Sequence, residues 1–209
     1  MTVGLRVTTA WIAVGLISVS NSLHADMVPP DRHTLTRAVT HYLSEHGDLC
    51  IGKFTWPRVV TPQDVQARTN DAVQLPVLER LGLVASAAPP DGSGTRYTLT
   101  DKGRQYYLRR RRITLGAHDL PVEHDEDLCL AHLSLDKVIK WSPPEEAHGH
   151  LETVVRYTYH VKPVDWMSDP QARQAFPVVD RIIRNEGSLL MSVNVQLQDG
   201  QWKPVLPTQ

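Results

Sequence analysis

Apolar residues along the chain recur first at helical and then at strand spacing. From Asp31 to Glu45, Leu35, Ala38, Val39, Tyr42 and Leu43 return at three- and four-residue intervals, and Gly47 stands as a stop, so the pattern predicts an amphipathic helix with one face in a core. Ile51 to Val60 gathers Phe54, Trp56, Val59 and Val60 around Pro57, which predicts a short edge strand and loop. Thr61, Pro62 and Asp64 supply a cap, a proline at the first helical position and an acid at the third, hence a short helix to about Arg68. A third helix capped by Asn70 or Asp71 carries Ala72, Val73, Leu75, Val77, Leu78 and Leu81, with Pro76 as a kink or first turn and Gly82 as the end. Leu83–Ala87 and Arg96–Leu99, on either side of the turn-rich Pro89–Gly94, read as a hairpin, and Thr100 with Gly103 opens a helix through Tyr106 and Tyr107.

The back half has the period of a sheet. One strand is expected at Lys137–Trp141. From Leu151 to Lys162 the alternation puts Leu151, Thr153, Val155, Tyr157, Tyr159 and Val161 on one face, with Glu152, Arg156, His160 and Lys162 on the other. Asp169 and Pro170 cap a helix whose apolar face, Ala172, Ala175, Phe176, Val179, Ile182 and Ile183, runs to Gly187 with a kink at Pro177. Ser188–Gln198 alternates again, and Asp199 with Gly200 turns the chain toward Trp202. An antiparallel sheet with a helix across one face buries both apolar sets, so the fold class is α+β. The expected organisation is a signal peptide over 1–25, a helical unit with a hairpin over 26–116, a polar acidic and histidine-rich loop over 117–132, and an antiparallel β-β-α-β-β unit over 133–209.

The run Leu78, Glu79, Arg80, Leu81, Gly82, Leu83, Val84, followed by Tyr97, Thr98, Leu99, Thr100 and Gly103, resembles the recognition helix and wing of winged helix-turn-helix domains over about residues 70–107. The resemblance implies a winged-helix-like N-terminal half and DNA binding through the third helix. Charge argues against the activity. Between Pro62 and Gly82 two bases, Arg68 and Arg80, face three acids, Asp64, Asp71 and Glu79, so the would-be reading helix is slightly acidic. The whole chain of 209 residues carries a formal net charge of -1, whereas dedicated nucleic-acid binders are usually clearly basic. The expected unit is structural or protein-facing, with no nucleic-acid partner.

The N-terminus points to a compartment. Arg6 precedes a largely apolar Val7–Val19, and Ala25 offers a small-residue cleavage point, the layout of an export signal. The apolar run falls short of the about 20 residues a spanning helix needs, so no stable membrane span is expected after cleavage. A periplasmic or secreted location follows, and in an oxidising compartment the two cysteines, Cys50 and Cys129, are expected to pair. Each sits in an acidic-then-apolar context without a base to activate it as a nucleophile.

Two charge-rich stretches carry the candidate chemistry. Arg109, Arg110, Arg111 and Arg112 form a basic run, read either as a solvated helix end or as a contact for an anion or a partner. The stretch from His118 to His132 concentrates histidines and acids, and His118, His124, Asp125 and His132 are its candidate metal ligands, against a solvated acidic loop. No G-x-S-x-G, H-E-x-x-H, glycine-rich phosphate loop or C-x-x-C occurs, and no cofactor is implied. The functional expectation is an exported, soluble, non-catalytic binding protein with an envelope or secreted protein partner, of protective or immunity type among other forms. The alternatives are a metal-dependent hydrolase built on His118–His132, and a DNA-binding regulator should the N-terminus stay attached. Trp56, Trp141, Trp166 and Trp202 are either aromatic anchors for a partner or core residues.

Overall fold

The computed structural model describes residues 29–89, 92–115, 120–147 and 149–205. The expected signal peptide and the candidate ligand His118 lie outside the described residues. Helix α1 (Arg32–His46) begins at an Asp31 cap whose carboxylate accepts from the Thr34 N–H at 2.8 Å, while the Thr34 hydroxyl accepts from the Asp31 N–H at 3.3 Å. Two N–H groups that a helix start would leave open are thereby satisfied. The buried face of α1, Leu35, Ala38, Val39 and Leu43, packs with Val155, Tyr157, Tyr159, Val193, Val195 and Trp202. Arg32 donates to the Val138 carbonyl and lies over the Trp141 ring at 5.6 Å.

The surface that receives α1 is a seven-stranded antiparallel sheet. Its main order is β1 (Asp48–Cys50), β6 (Pro121–Trp141), β8 (His150–Pro163), β9 (Met191–Gln198) and β10 (Gln201–Pro204). Two further strands join its flanks, β5 (Tyr107–Leu115) against β6 and β7 (Glu145–Ala147) against β8. The alternation expected of β8 is observed over most of its length: Thr153, Val155, Tyr157 and Tyr159 are buried while Val154, Arg156 and His160 are exposed, and Thr158 departs from it, buried on the outer face where its hydroxyl donates to Asp136 at 2.7 Å. Asp199 and Gly200, both at positive φ, make the two-residue turn between β9 and β10.

A second, three-stranded sheet has the order β2 (Arg58–Val60), β4 (Thr95–Leu99), β3 (Val84–Ala87). Between β2 and β3 run α2 (Pro62–Ala67), capped reciprocally by Thr61 and Asp64, and α3 (Asn70–Arg80), capped by Thr69. Gly82 takes φ +75° after α3, a left-handed position suited to glycine. Leu75, Leu78, Leu83, Val84, Tyr97 and Leu99 of this unit share one core cluster with Leu128 and Leu130 of β6 and with Met167 and Phe176 from the back half. Helix α5 (Pro170–Ala175) lies against α3, where Gln74 donates to the Ala175 carbonyl at 3.2 Å and Arg80 pairs with Asp169 at 2.6 Å. Phe176 interrupts the helix, and α6 (Pro177–Arg184) restarts at Pro177, a proline supplying no N–H to bond back.

Three expectations are corrected. Helix α4 stops at Arg104 (Asp101–Arg104) instead of continuing through Tyr106 and Tyr107, because the Tyr106 carbonyl accepts from the Cys129 N–H at 3.0 Å and the chain enters the sheet at Tyr107. The stretch 117–132 is no loop from Pro121 on: residues 121–141 form one strand, whose polar N-terminal part pairs with β5. Its charged side chains break the apolar alternation, but the ladder is made by backbone groups and does not need it. Helix α1, grouped by sequence with the front unit, packs on the back sheet, since that face carries its apolar complement.

Candidate functional site

Toward its N-terminus β6 outruns its other neighbours. Strand β1 accompanies it over Cys129–His132 and β8 over Ala131–Trp141, whereas residues 121–128 pair with β5. Strands β5 and β6 therefore extend from the sheet as a two-stranded arm. The register sets Arg109 opposite Glu126, Arg112 opposite His124 and Ile113 opposite Glu123, with a bulge between Arg109 and Arg112. The basic run and the acidic stretch of the sequence are thus two sides of one ladder, and opposite charges directly across strands are favourable. This places Arg109–Arg112 on a strand, where the helix-end reading of the run does not apply.

The arm is fastened at its root. The His124 ring stacks on Phe54 with centroids 3.9 Å apart, His124 Nε2 and Thr114 Oγ1 are 2.9 Å apart, and the Tyr107 hydroxyl donates to the Phe54 carbonyl. Asp127, 1% exposed, accepts three backbone N–H bonds, from Gly52 at 3.0 Å, from Lys53 at 2.7 Å and from Leu128 at 2.7 Å. Three of the roughly four acceptor positions of this buried carboxylate are thereby filled by backbone donors, which offsets its desolvation. Two residues on, the expected disulfide is present: Cys50 and Cys129 are bonded, facing each other across β1 and β6. Farther out the arm exposes apolar side chains, with Ile113 at 46%, Leu120 at 62% and Val122 at 41%.

Sequence reasoning missed the cluster beside the root. Lys53, 3% exposed, bonds Asp71 at 2.5 Å, and Arg58 holds the other carboxylate oxygen at 2.6 Å. Burial pushes the Asp71 carboxyl up, but the hydrogen bonds and charges of Lys53 and Arg58 outweigh it and hold the group below the ordinary carboxylate range. The one available hint was an acid in the first turn of a helix beside a polar loop, which says nothing about a partner 18 residues away.

Of the candidate metal ligands, His118 lies outside the described residues, and the other three, His124, Asp125 and His132, are not brought together. His124 and His132 lie on one extended strand, where eight residues span about 26 Å, far beyond the reach of two ligands on one ion. Asp125, next to His124, points to the opposite face. His132 Nδ1 is instead 2.8 Å from Asp48 Oδ1, and no group of three or more His, Cys, Asp or Glu able to hold a metal occurs among the described residues. His160 sits between two acids, with Nδ1 3.1 Å from Glu186 and Nε2 3.6 Å from Asp136, joining β8 to the end of α6 on an exposed face. Trp166 and Trp202 are buried, and Trp56 and Trp141 pack against the two cores, so the tryptophans serve as core residues.

What remains chemically available is an arm with exposed apolar side chains over a charged ladder, anchored by a disulfide and a buried carboxylate. Among the described residues no helix is long and apolar enough to cross a membrane. Compared with protein-family models, with curated proteins and with solved structures, the chain matches none of them.

Proposed function

We propose that the chain is a non-catalytic binding protein that works outside the cytoplasm and docks a protein partner through the β5–β6 arm. The carrying observation is the exposed set Ile113, Leu120 and Val122 on an arm rooted in a buried disulfide and carboxylate. Exposed apolar side chains on a protruding element favour association, and an isolated hairpin is marginal in water unless packed or covered. The sequence pattern from Arg6 to Ala25 and the Cys50–Cys129 bond support an exported form. The winged-helix-like reading of residues 70–107 fits best as a structural role. One side of α3 is occupied by α5, and its exposed positions are the uncharged Asn70, Val73 and Pro76 together with Arg80, whose guanidinium is already paired with Asp169, a poor surface for phosphate.

The test compares the wild type with I113S/V122S as bait against envelope and secreted fractions at several salt concentrations. Retention of one protein by the wild type and its loss from a variant of unchanged melting temperature is the expected result. A wild type that stays monomeric and recovers nothing, or a variant that retains the same protein, overturns the proposal.

A further inference from the structure

The outer face of the main sheet, turned away from α1, sets like charges against each other twice along one strand. On β8 the side chains of Glu152, Val154 and Arg156 share that face, since Thr153 and Val155 between them are buried on the other. The register puts Arg156 directly opposite Lys140 of β6, and Glu152 directly opposite Glu145 of β7. Like charges facing each other across a ladder are unfavourable. Lys140 and Arg156 are both exposed, and neither has an ion-pair partner among the described residues. Glu152 accepts from Gln196 at 3.2 Å, a neutral amide that leaves the charge in place, and Glu145 is exposed. A change of sign at Lys140 or at Glu145 would remove either conflict without touching the core, so the fold does not require them. Local rules are broken where something other than the fold is served.

The two pairs lie about 13 Å apart, four residues at the rise of a strand. Val154 stands midway between them and is 38% exposed. Its neighbours are short: Asn194 lies opposite it on β9, Ser142 accepts from its N–H at 3.0 Å, and Ser192 lies opposite Arg156. A two-fold axis that lies in this face and crosses β8 at Val154 exchanges the acidic end with the basic end. A second copy placed by that axis sets its Lys140 and Arg156 over Glu145 and Glu152 of the first, and the first does the same for the second. Both repulsive pairs are compensated at once. A wholly acidic or wholly basic partner would compensate one and aggravate the other.

We infer that the chain forms a two-fold dimer through the outer face of the main sheet, with Val154 at the axis and the Lys140–Arg156 pair of each copy seated on the Glu145–Glu152 pair of the other. The surface is polar and small, so the dimer is weak and sensitive to salt. It is separate from the partner surface on the arm.

The test is sedimentation velocity on the purified protein at increasing concentration. The wild type should pass from monomer to dimer in the roughly 10–100 µM range of a small polar interface, and added sodium chloride should move the transition to higher concentration. K140E and E145K each set opposite charges across a ladder, so each should keep or raise the melting temperature while weakening association by roughly tenfold or more. K140E/R156E and E145K/E152K should each be monomeric alone and should form a dimer when mixed, because each carries the charges the other lacks. A wild type that stays monomeric up to about 1 mM overturns the inference. So do K140E and E145K variants that associate like the wild type, or folded double variants whose mixture stays monomeric. I113S/V122S should dimerise like the wild type, and K140E/R156E should retain the same protein from envelope and secreted fractions as the wild type, so failure of the arm proposal and failure of this one are separable.

Discussion

Asp71→Asn removes the counter-charge of a buried ammonium and offers a direct measure of the polar cluster beside the arm. In the native protein Lys53 Nζ is 2.5 Å from Asp71, and Arg58 lies 2.6 Å from the second oxygen. Lys53 is 3% exposed, so without Asp71 its charge stays buried and uncompensated. Breaking such a pair by removing one partner costs about 3–5 kcal/mol. With a urea m-value of about 2 kcal/mol/M, the midpoint should fall by roughly 1.5–2.5 M. Lys53→Met should cost far less, because Arg58 still pairs Asp71 and an apolar side chain suits the site. The double variant should recover much of the loss caused by Asp71→Asn, and the cycle gives the coupling directly. Acid titration supplies a second readout. The folded carboxyl lies below its ordinary value of 3.8, so its contribution is present above that pH and is lost as pH falls through the folded pKa. That part of the acid slope should vanish in Asp71→Asn. A midpoint shift under about 0.5 M, or a double variant as unstable as the sum of the singles, would refute the reasoning.

Replacing both Cys50 and Cys129 with serine opens a bridge between residues 79 apart, and the chain-entropy estimate gives a loss of about 4 kcal/mol in denaturant midpoint experiments. Equal midpoints would count against a stabilising bond. Burial, and after it the neighbouring Tyr42, pushes the Tyr157 hydroxyl up from 10.0 to about 12. Its folded pKa lies above its unfolded one, so stability should be intact below pH 10 and decline from there to about pH 12, with a shallower decline in Tyr157→Phe. Identical slopes in the two proteins would exclude Tyr157 as a contributor. Gly103→Ala should lower the melting temperature even though alanine is the better helix former, because the new methyl group meets the Leu83 carbonyl. A loss of about 1–3 kcal/mol is expected from overpacking, and a gain in stability would show that the turn yields.

The legible parts of the fold were those whose local pattern and tertiary role coincide. α1 and β8 each have one solvent face and one core face, so their periods survive in Leu35, Ala38, Val39 and Leu43 and in Val155, Tyr157 and Tyr159. The Thr61 and Asp169 caps are local chemistry and read directly, whereas α3 is capped one residue earlier than Asn70 or Asp71, by Thr69. β6 was not legible beyond its C-terminal end. Its arm carries His124, Asp125 and Glu126 in succession, with no buried face to impose alternation, and its order comes from pairing with residues up to 21 positions earlier. The same holds for Asp127 and Lys53, which meet where the loop after β1 docks on β6, a contact between residues 74 positions apart. The disulfide needed only an even count and a compartment, but its place across β1 and β6 required the sheet.

The root of the arm concentrates constraints of different kinds within a few residues of β6. His124 is stacked on Phe54, Asp127 ties the 52–53 backbone to the strand, Leu128 faces Tyr107, and Cys129 is bonded to Cys50. These fastenings also belong to the core, since Leu128 is fully buried in one cluster and Tyr107 packs against it. A two-stranded element beyond the core would otherwise swing about its base, and each added fastening removes one direction of swing. Holding exposed side chains in a fixed orientation before contact reduces the ordering cost of association. The apolar positions Ile113 and Val122 sit on opposite faces of the ladder, since Ile113 is opposite Glu123 and Val122 is opposite Thr114. A partner that covers both must therefore grip the arm from two sides, which a cleft does and a flat surface does not.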